Sequence, residues 1–414
     1  MESQPKSKAI TDAAQALKAE VGQLVLVLQG GGALGAYQAG VYHAIHDAGL
    51  EPHWIIGTSI GAINAALIAG NEPANRIAAL EEFWKRVAYK PDAWSSFAHP
   101  LFSQPLSFWS ILYGGLPSFF KPNPLAFLGP DVPLGTDSAG YYLTEPLKCT
   151  LDELVDVSVL NRGSPRLTVG AARVRTSQMR YFDSRSETLA IHHIMASSAV
   201  PPAFPAVRID GELYWDGGIL SNTPTEIVFD DCPRRDSLIF AVHLWDPTGP
   251  EPNTIFDVMR RYKDIRFSSR VESHIARQKQ THRLRHIIKD LVACIPDADR
   301  QSARVRELES WGCVTRMHLV RLLAPSLPNE AQTKDVDFSP TGIRARWHAG
   351  YSHARQAIER TPWRGEFDPL EGVILHEPPW SGGLHRPAAP DGGAEPASTR
   401  IPTPRPAHAA RERV

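Results

Sequence analysis

Short apolar runs alternate with glycine-bearing turns and helical stretches through the first part of the chain. Leu24-Val25-Leu26-Val27-Leu28 has no polar interruption, as expected of a strand buried on both faces. It ends at Gly30-Gly31-Gly32, and a helical stretch then runs through Ile45. His53-Trp54-Ile55-Ile56 predicts a second strand, Gly57-Thr58-Ser59-Ile60-Gly61 a sharp turn, and Ala62 to Leu67 the body of a second helix. Strand, helix, strand in this order is a β-α-β unit. It lays its strands parallel and brings the turns that follow them to the carboxyl edge of one sheet. Further strands are predicted at Glu212 to Trp215 and Ser237 to Leu244.

Beyond residue 246 the pattern changes to Arg-rich sequence with apolar residues three and four apart, over Phe256 to Leu291 and Arg304 to Leu323, which predicts helices. Lys334 to Phe338 reads as extended and leads to Ser339 as N-cap and Pro340 as first residue of a last helix through Ile358. Between the two halves of the main domain, Trp94 to Leu128 is crowded with aromatics and broken by prolines at 100, 105, 117, 122 and 124. That composition predicts an irregular insertion, either folded onto the core or capping Ser59 as an acyl-binding surface. The expected organisation is a flexible segment over 1–22, a main domain over 23–245 with the aromatic-rich insertion at about 94–128, a helical extension over 246–376, and a disordered Pro-rich tail over 377–414.

Two of the turns carry chemistry. Consecutive glycines feeding a helix leave backbone N–H groups unpaired and facing outward, backed by the positive end of the helix dipole. Such a loop suits an anion, either a phosphate or the oxyanion formed when a serine attacks an ester. Gly30, Gly32 and Gly35 satisfy the dinucleotide fingerprint. That fingerprint needs an acidic residue at the end of the next strand, and this strand ends in Ile56-Gly57-Thr58-Ser59; Glu51 lies before it, at the wrong end. The turn at Ser59 has the form of a nucleophile elbow, G-x-S-x-G between strand and helix. A serine needs a base. None of the sixteen histidines stands out: His192 and His193 fall in a helical stretch, His243 in a strand, His43 and His46 on the helix after the glycine loop. Asp216, opening the tight turn Asp216-Gly217-Gly218 after a strand, is the better candidate.

Taken together, GGGALG at 30–35, GTSIG at 57–61 and DGG at 216–218, with the small-residue and proline segment Ala196 to Pro205, resemble the patatin-like phospholipases over roughly residues 23–245. The resemblance implies a three-layer α/β/α sandwich with a mostly parallel central sheet, here with a helical C-terminal extension. It further implies a Ser-Asp dyad with Ser59 as nucleophile and Asp216 as general base. Gly30, Gly31, Gly32, Ala33 and Gly35 would form the oxyanion loop, with Gly57, Gly61, Gly217 and Gly218 supporting the elbow and the aspartate turn. The chain departs from the family pattern at Leu34, where many members carry Arg or Lys. The departure removes a positive charge near the loop and weakens the case for anionic substrates. Because an ordinary carboxylate is a feeble base at neutral pH, Asp216 must be desolvated for the dyad to work.

Composition narrows the remaining choices. A formal net charge of -1 gives no basic bias toward nucleic acid. Cys149, Cys232, Cys294 and Cys313 are scattered without metal-ligand spacing, so neither a disulfide framework nor a zinc site is expected, and no cofactor is called for. The first 23 residues lack the apolar core of a signal peptide and no apolar stretch reaches bilayer length, so the expected compartment is the cytoplasm, with peripheral contact to membranes or lipid bodies. The expected partner is a hydrophobic acyl ester, a lipid or a hydroxyacid oligomer. A catalytically silent lipid-binding scaffold on the same fold, a dinucleotide-binding enzyme and a histidine-dependent α/β-hydrolase are the alternatives. The last is disfavoured because only one clear strand precedes the elbow strand.

Overall fold

The computed structural model describes residues 21–89, 114–268, 271–327 and 333–377. In chain order the strands are β1 (Gln23–Leu28), β2 (Trp54–Gly57), β3 (Lys121–Pro122), β4 (Tyr142–Leu143), β5 (Arg166–Arg173), β6 (Gln178–Asp183), β7 (Val207–Ile209), β8 (Glu212–Asp216), β9 (Ser237–His243), β10 (Met317–Leu323) and β11 (Val373–His376). The helices are α1 (Ala36–Asp47), α2 (Ile60–Ala69), α3 (Arg76–Arg86), α4 (Glu145–Leu154), α5 (Val157–Leu160), α6 (Ile191–Ser197), α7 (Glu226–Phe229), α8 (Ile255–Ser268), α9 (Val271–Ala293), α10 (Asp297–Arg300), α11 (Ala303–Glu309) and α12 (Pro340–Arg360).

One sheet organises the fold, in the order β11-β10-β9-β1-β2-β5-β8-β7, with β6 also paired to β5. From β11 to β5 every pairing is parallel; β6, β7 and β8 add antiparallel pairs at one end. The alternation within β1 shows why the apolar run has no polar break. Leu24, Leu26 and Leu28 pack into the core beneath α1, α2 and α12, while Val25 and Val27 face the opposite layer with Phe229 of α7 and Ile275 of α9. The result is a mostly parallel sheet covered on both faces, as the motif order predicts.

The region after 246 is helix-rich, and it also completes the sheet. Arg304 to Leu323, expected as helix, is the short helix α11 followed by the strand β10, which pairs with β9 from Met317↔Ser237 to Leu323↔His243. Met317-His318-Leu319-Val320-Arg321-Leu322-Leu323 is buried almost throughout, and a run buried on both faces has no period that separates strand from helix. The last helix begins as predicted: the Ser339 hydroxyl accepts the Gly342 N–H at 3.1 Å and Pro340 is the first helical residue. α12 crosses α1 at backbone contact, because a Cβ on Gly40 would collide with the Trp347 carbonyl and one on Gly350 with the Tyr37 carbonyl.

The aromatic-rich insertion is described only from residue 114 onward; its part over 94–113 and the expected disorder beyond 377 lie outside the described residues, as does nearly all of the segment 1–22. Leu116, Phe119 and Phe120 of the insertion join the core, while Leu125, Phe127 and Leu128 in a 3-10 turn are exposed. Among the described residues no helix is long and apolar enough to cross a membrane.

Candidate active site

The unequal lengths of two strands bring Ser59 and Asp216 together. β5 has eight residues and β2 four, so β2 stops where Gly57 pairs with Val169 and leaves the rest of that edge open. β8 fills the gap from the other direction and ends with Asp216 paired to Ala171, while β6 occupies the opposite edge of β5. Asp216 is therefore set two residues further along the edge at which the chain leaves β2 for Ser59.

Ser59 has φ 59° and ψ −129°, a conformation that costs a residue with a Cβ and that its surroundings must enforce. α2 starts on the spot, with the Ser59 carbonyl accepting the Ala62 N–H at 2.8 Å. A Cβ on Gly57 would collide with the Gly61 carbonyl, so the turn closes on itself only with glycine there. The C-terminal end of α6 clamps the outside: the Ser59 N–H donates to the Ser197 carbonyl at 3.1 Å and to the Ser197 hydroxyl at 3.2 Å, and the Ser198 hydroxyl donates to the Ser59 carbonyl at 3.3 Å. One residue later the Ala199 carbonyl accepts the Asp216 N–H at 2.9 Å. A single short segment thus holds both members of the pair.

Asp216 is buried, and its Oδ1 accepts the Gly218 N–H at 2.6 Å, which is the service of the Asp-Gly-Gly turn. Gly217 abuts the Gly170 carbonyl. Oδ2 is buried with no hydrogen-bond partner. Burial pushes the carboxyl up to about 7, against the smaller lowering effects of the neighbouring Ser59 hydroxyl and the Gly218 N–H. The Ser59 hydroxyl lies close enough to the Asp216 carboxyl to favour its charged form.

The glycine loop lies against the elbow: a Cβ on Gly30 would sit 2.9 Å from Ser59 Cβ and would collide with Asn222 Oδ1. Its carbonyls are pinned away from that space. The Gln29 carbonyl accepts Gln38 Nε2 at 2.6 Å, the Gly30 carbonyl accepts Trp245 Nε1 at 2.8 Å and Asn222 Nδ2 at 3.2 Å, and the Gly31 carbonyl accepts the Leu34 N–H at 3.2 Å. In a trans peptide the N–H points opposite to the carbonyl. Fixing the Gly30 and Gly31 carbonyls therefore turns the Gly31 and Gly32 N–H groups the other way. The Gly30 N–H is already spent on the Asn222 carbonyl at 3.2 Å, so of the expected loop donors Gly31 and Gly32 are the ones the geometry frees. Ala33 and Gly35 lie buried in the 3-10 turn behind them, and the Gly35 carbonyl accepts Asn64 Nδ2 at 3.0 Å. Gly32, at φ +56°, presses against the Asp335 carbonyl, so the C-terminal region forms one wall of the loop.

Burial lowers His243 to about 3 and His193 to about 4, which keeps both neutral, and His193 Nδ1 is occupied by the Ala190 N–H. Glu51 accepts the Tyr42 hydroxyl and binds His46 and Arg76 before the start of β2, so it offers nothing to a ribose at the glycine loop. Leu34 is buried against Tyr37 and Leu244 at a small cavity.

A family model described as patatin-like phospholipase matches residues 26–229, and a second, described as patatin phospholipase, matches residues 265–370. The chain belongs to the patatin-like phospholipase family. Membership of that family implies a lipid hydrolase. No match was found among curated proteins. Solved structures similar to this patatin-like chain include VipD from Legionella pneumophila, at 15% identity and a TM-score of 0.36 over 82% of this chain and 67% of VipD. They also include the type III effector ExoU, at 13% identity and a TM-score of 0.31 over 82% of this chain and 53% of ExoU. A third is from the ExoU–SpcU complex of Pseudomonas aeruginosa, at 18% identity and a TM-score of 0.27 over 84% of this chain and 73% of that one. The chain thus spans about half the length of ExoU.

Several residues that shape this patatin-like site have no local signature. Gln29 receives the Leu244 and Trp245 N–H groups on its Oε1 at 2.5 and 3.2 Å and donates to the Thr223 hydroxyl at 2.7 Å. Trp245 and Asn222 orient the Gly30 peptide. A polar residue closing an apolar strand, as Gln29 does, is the one hint that sequence carries.

Proposed function

We propose that this patatin-like protein hydrolyses acyl esters of lipids through a two-residue serine mechanism. The Ser59 hydroxyl attacks the ester carbonyl while Asp216 takes its proton; the C–O π electrons move onto the carbonyl oxygen, where the Gly31 and Gly32 N–H groups receive the charge. Collapse of the tetrahedral species expels the alcohol, which collects the proton from Asp216. Water then repeats the sequence against the acyl-serine, releasing the carboxylic acid and restoring Ser59.

The observation that carries this reading is the buried Asp216 carboxyl, raised to about 7 beside a serine held on a strained turn. A base whose pKa lies near the working pH is both deprotonated often enough and basic enough to act. Treatment with a fluorophosphonate followed by peptide mass spectrometry is expected to find the adduct on Ser59. Ser59→Ala and Asp216→Asn are each expected to reduce turnover of a short-chain ester by about a thousandfold or more, whereas changing His193 or His243 leaves the reaction's base in place. Full turnover in Asp216→Asn would overturn the assignment of the base, and no adduct on Ser59 together with no ester turnover would favour the silent lipid-binding scaffold.

A further inference from the structure

Helix α8 is built inside out. Ile255, Val258, Met259, Tyr262 and Ile265 fall at i, i+3, i+4, i+7 and i+10, one face of the helix, and that face is the exposed one: Ile255 is 76% and Tyr262 61% exposed. The inward face is polar. Asp264 is buried against Lys334 at 2.7 Å, and Arg261 donates to the carbonyls of Asp246 and Pro247 at 3.0 and 2.6 Å. A surface helix of a globular protein normally has the opposite arrangement, so this stripe is not explained by the protein's own core.

The helix is fastened to the candidate active site. At its C-terminal end the Phe267 carbonyl accepts Gln29 Nε2 and Asn222 Nδ2, both at 3.2 Å, and the Phe267 ring lies 4.9 Å from that of Trp245. Lys263 pairs at 2.7 Å with Asp335, the residue whose carbonyl abuts Gly32. A second exposed apolar group, Leu125, Phe127 and Leu128, is tied to the same edge of the sheet: the Asn123 N–H donates to the Tyr141 carbonyl, and the Tyr141 N–H to the Pro202 carbonyl, three residues past the one that holds Asp216. Both groups border the end of the sheet at which Ser59 is presented.

We propose that the outward face of α8 docks the protein on a lipid surface and so sets Ser59 over its substrate; this rests on the lipid-hydrolase reading above. The chemistry of the face selects that occupant. It combines the aliphatic side chains of Ile255, Val258, Met259 and Ile265 with Tyr262, whose ring favours the boundary between acyl chains and headgroups, and has Phe256 at its flank. Of its four cations Arg261 is held by the Asp246 and Pro247 carbonyls, Lys263 and Arg260 pair with Asp335 and Asp257, and Arg266, eleven residues after Ile255, lies exposed on the apolar face. Against Asp257 and Asp264 the helix has a net positive charge, which favours a surface of phosphate headgroups.

The test uses the full chain and phosphatidylcholine vesicles containing a minor fraction of phosphatidylglycerol, with flotation to measure binding. The wild type and Ser59→Ala are both expected to float with the vesicles. Met259→Glu combined with Tyr262→Glu is expected to lower partitioning by about tenfold or more and to reduce turnover of vesicle-borne ester in proportion, with turnover of a soluble short-chain ester unchanged. Failure of the wild type to float, or flotation of the double variant equal to the wild type, overturns the proposal. So does a wild-type dimer in sedimentation that the double variant abolishes without any vesicle binding, since the face would then belong to a second copy. Flotation without hydrolysis of any ester would sink the hydrolase reading and leave the docking surface standing.

Discussion

At the scale of single residues, Asp216 dominates because its ionisation links chemistry to stability. In the proposed mechanism the deprotonated form accepts the proton from Ser59, so turnover of a soluble ester is expected to rise with pH through an apparent pKa near 7 and to level off above it; a stopped pH–rate series checks this. The same burial has a cost. A carboxyl whose folded pKa lies above its unfolded value contributes stability that is complete at acid pH and is lost as pH rises through the folded value. A shift from 3.8 to about 7 corresponds to about 4 kcal/mol between those limits. Asp216→Asn, which has no charge to bury, is therefore expected to melt above the wild type at pH 8, with the gap closing toward pH 4. Thermal unfolding across that range measures it, and equal melting temperatures throughout would show that the site is wetter than its geometry indicates. Sequence alone singled out Ser59 and Asp216 as candidates, because each sits in a short local pattern of turn and glycine. It supplied neither the orphaned Oδ2 nor the clamp made by Ser197 and Ala199, since those contacts join positions well over a dozen residues apart and leave no periodic trace.

At the scale of elements, the pairing of α1 with α12 sets how rigidly the glycine loop is held. α1 begins directly after the loop, and α12 lies against it at backbone contact through Gly40 and Gly350. A methyl group at Gly40 would meet the Trp347 carbonyl, which cannot rotate aside as a side chain can. Gly40→Ala is expected to destabilise the protein by about 3 kcal/mol, at the upper end for overpacking, readable as a lower urea midpoint with unchanged slope. The first helices, the elbow and the start of α12 at Ser339-Pro340 were legible in the sequence. β10 was not: a parallel strand covered on both sides presents an apolar run whose three-and-four spacing imitates a helix, and only its neighbour β9 decides the matter. The reversed polarity of α8 was hidden for the same reason, because spacing reveals that a helix has two faces and not which one turns inward.

At the scale of the whole molecule, the stretch over 246–376 and the motif-bearing stretch over 23–245 share one sheet. β10 covers the edge of β9, and α7 and α9 bury the face formed by Val25, Val27, Ile239 and Ala241. A protein ending at residue 245 would keep α7 but lose α9 from that face and β10 from the edge of β9 together. It is expected to partition into the insoluble fraction more than the full chain does; a cooperatively melting fragment recovered in the supernatant as fully as the full chain, in a sedimentation and calorimetry comparison, would contradict this.

The fastening of the Gly30 peptide has a consequence for protein engineering. Its orientation is dictated by an indole and an amide contributed from nearly two hundred positions downstream or more, and its neighbour Gly32 leans on a carbonyl three hundred positions away. Transplanting residues 23–70 into a foreign scaffold would carry over the glycine loop and the serine elbow and still deliver a limp cradle. A successful graft has to import the distant scaffolding first and the famous letters second.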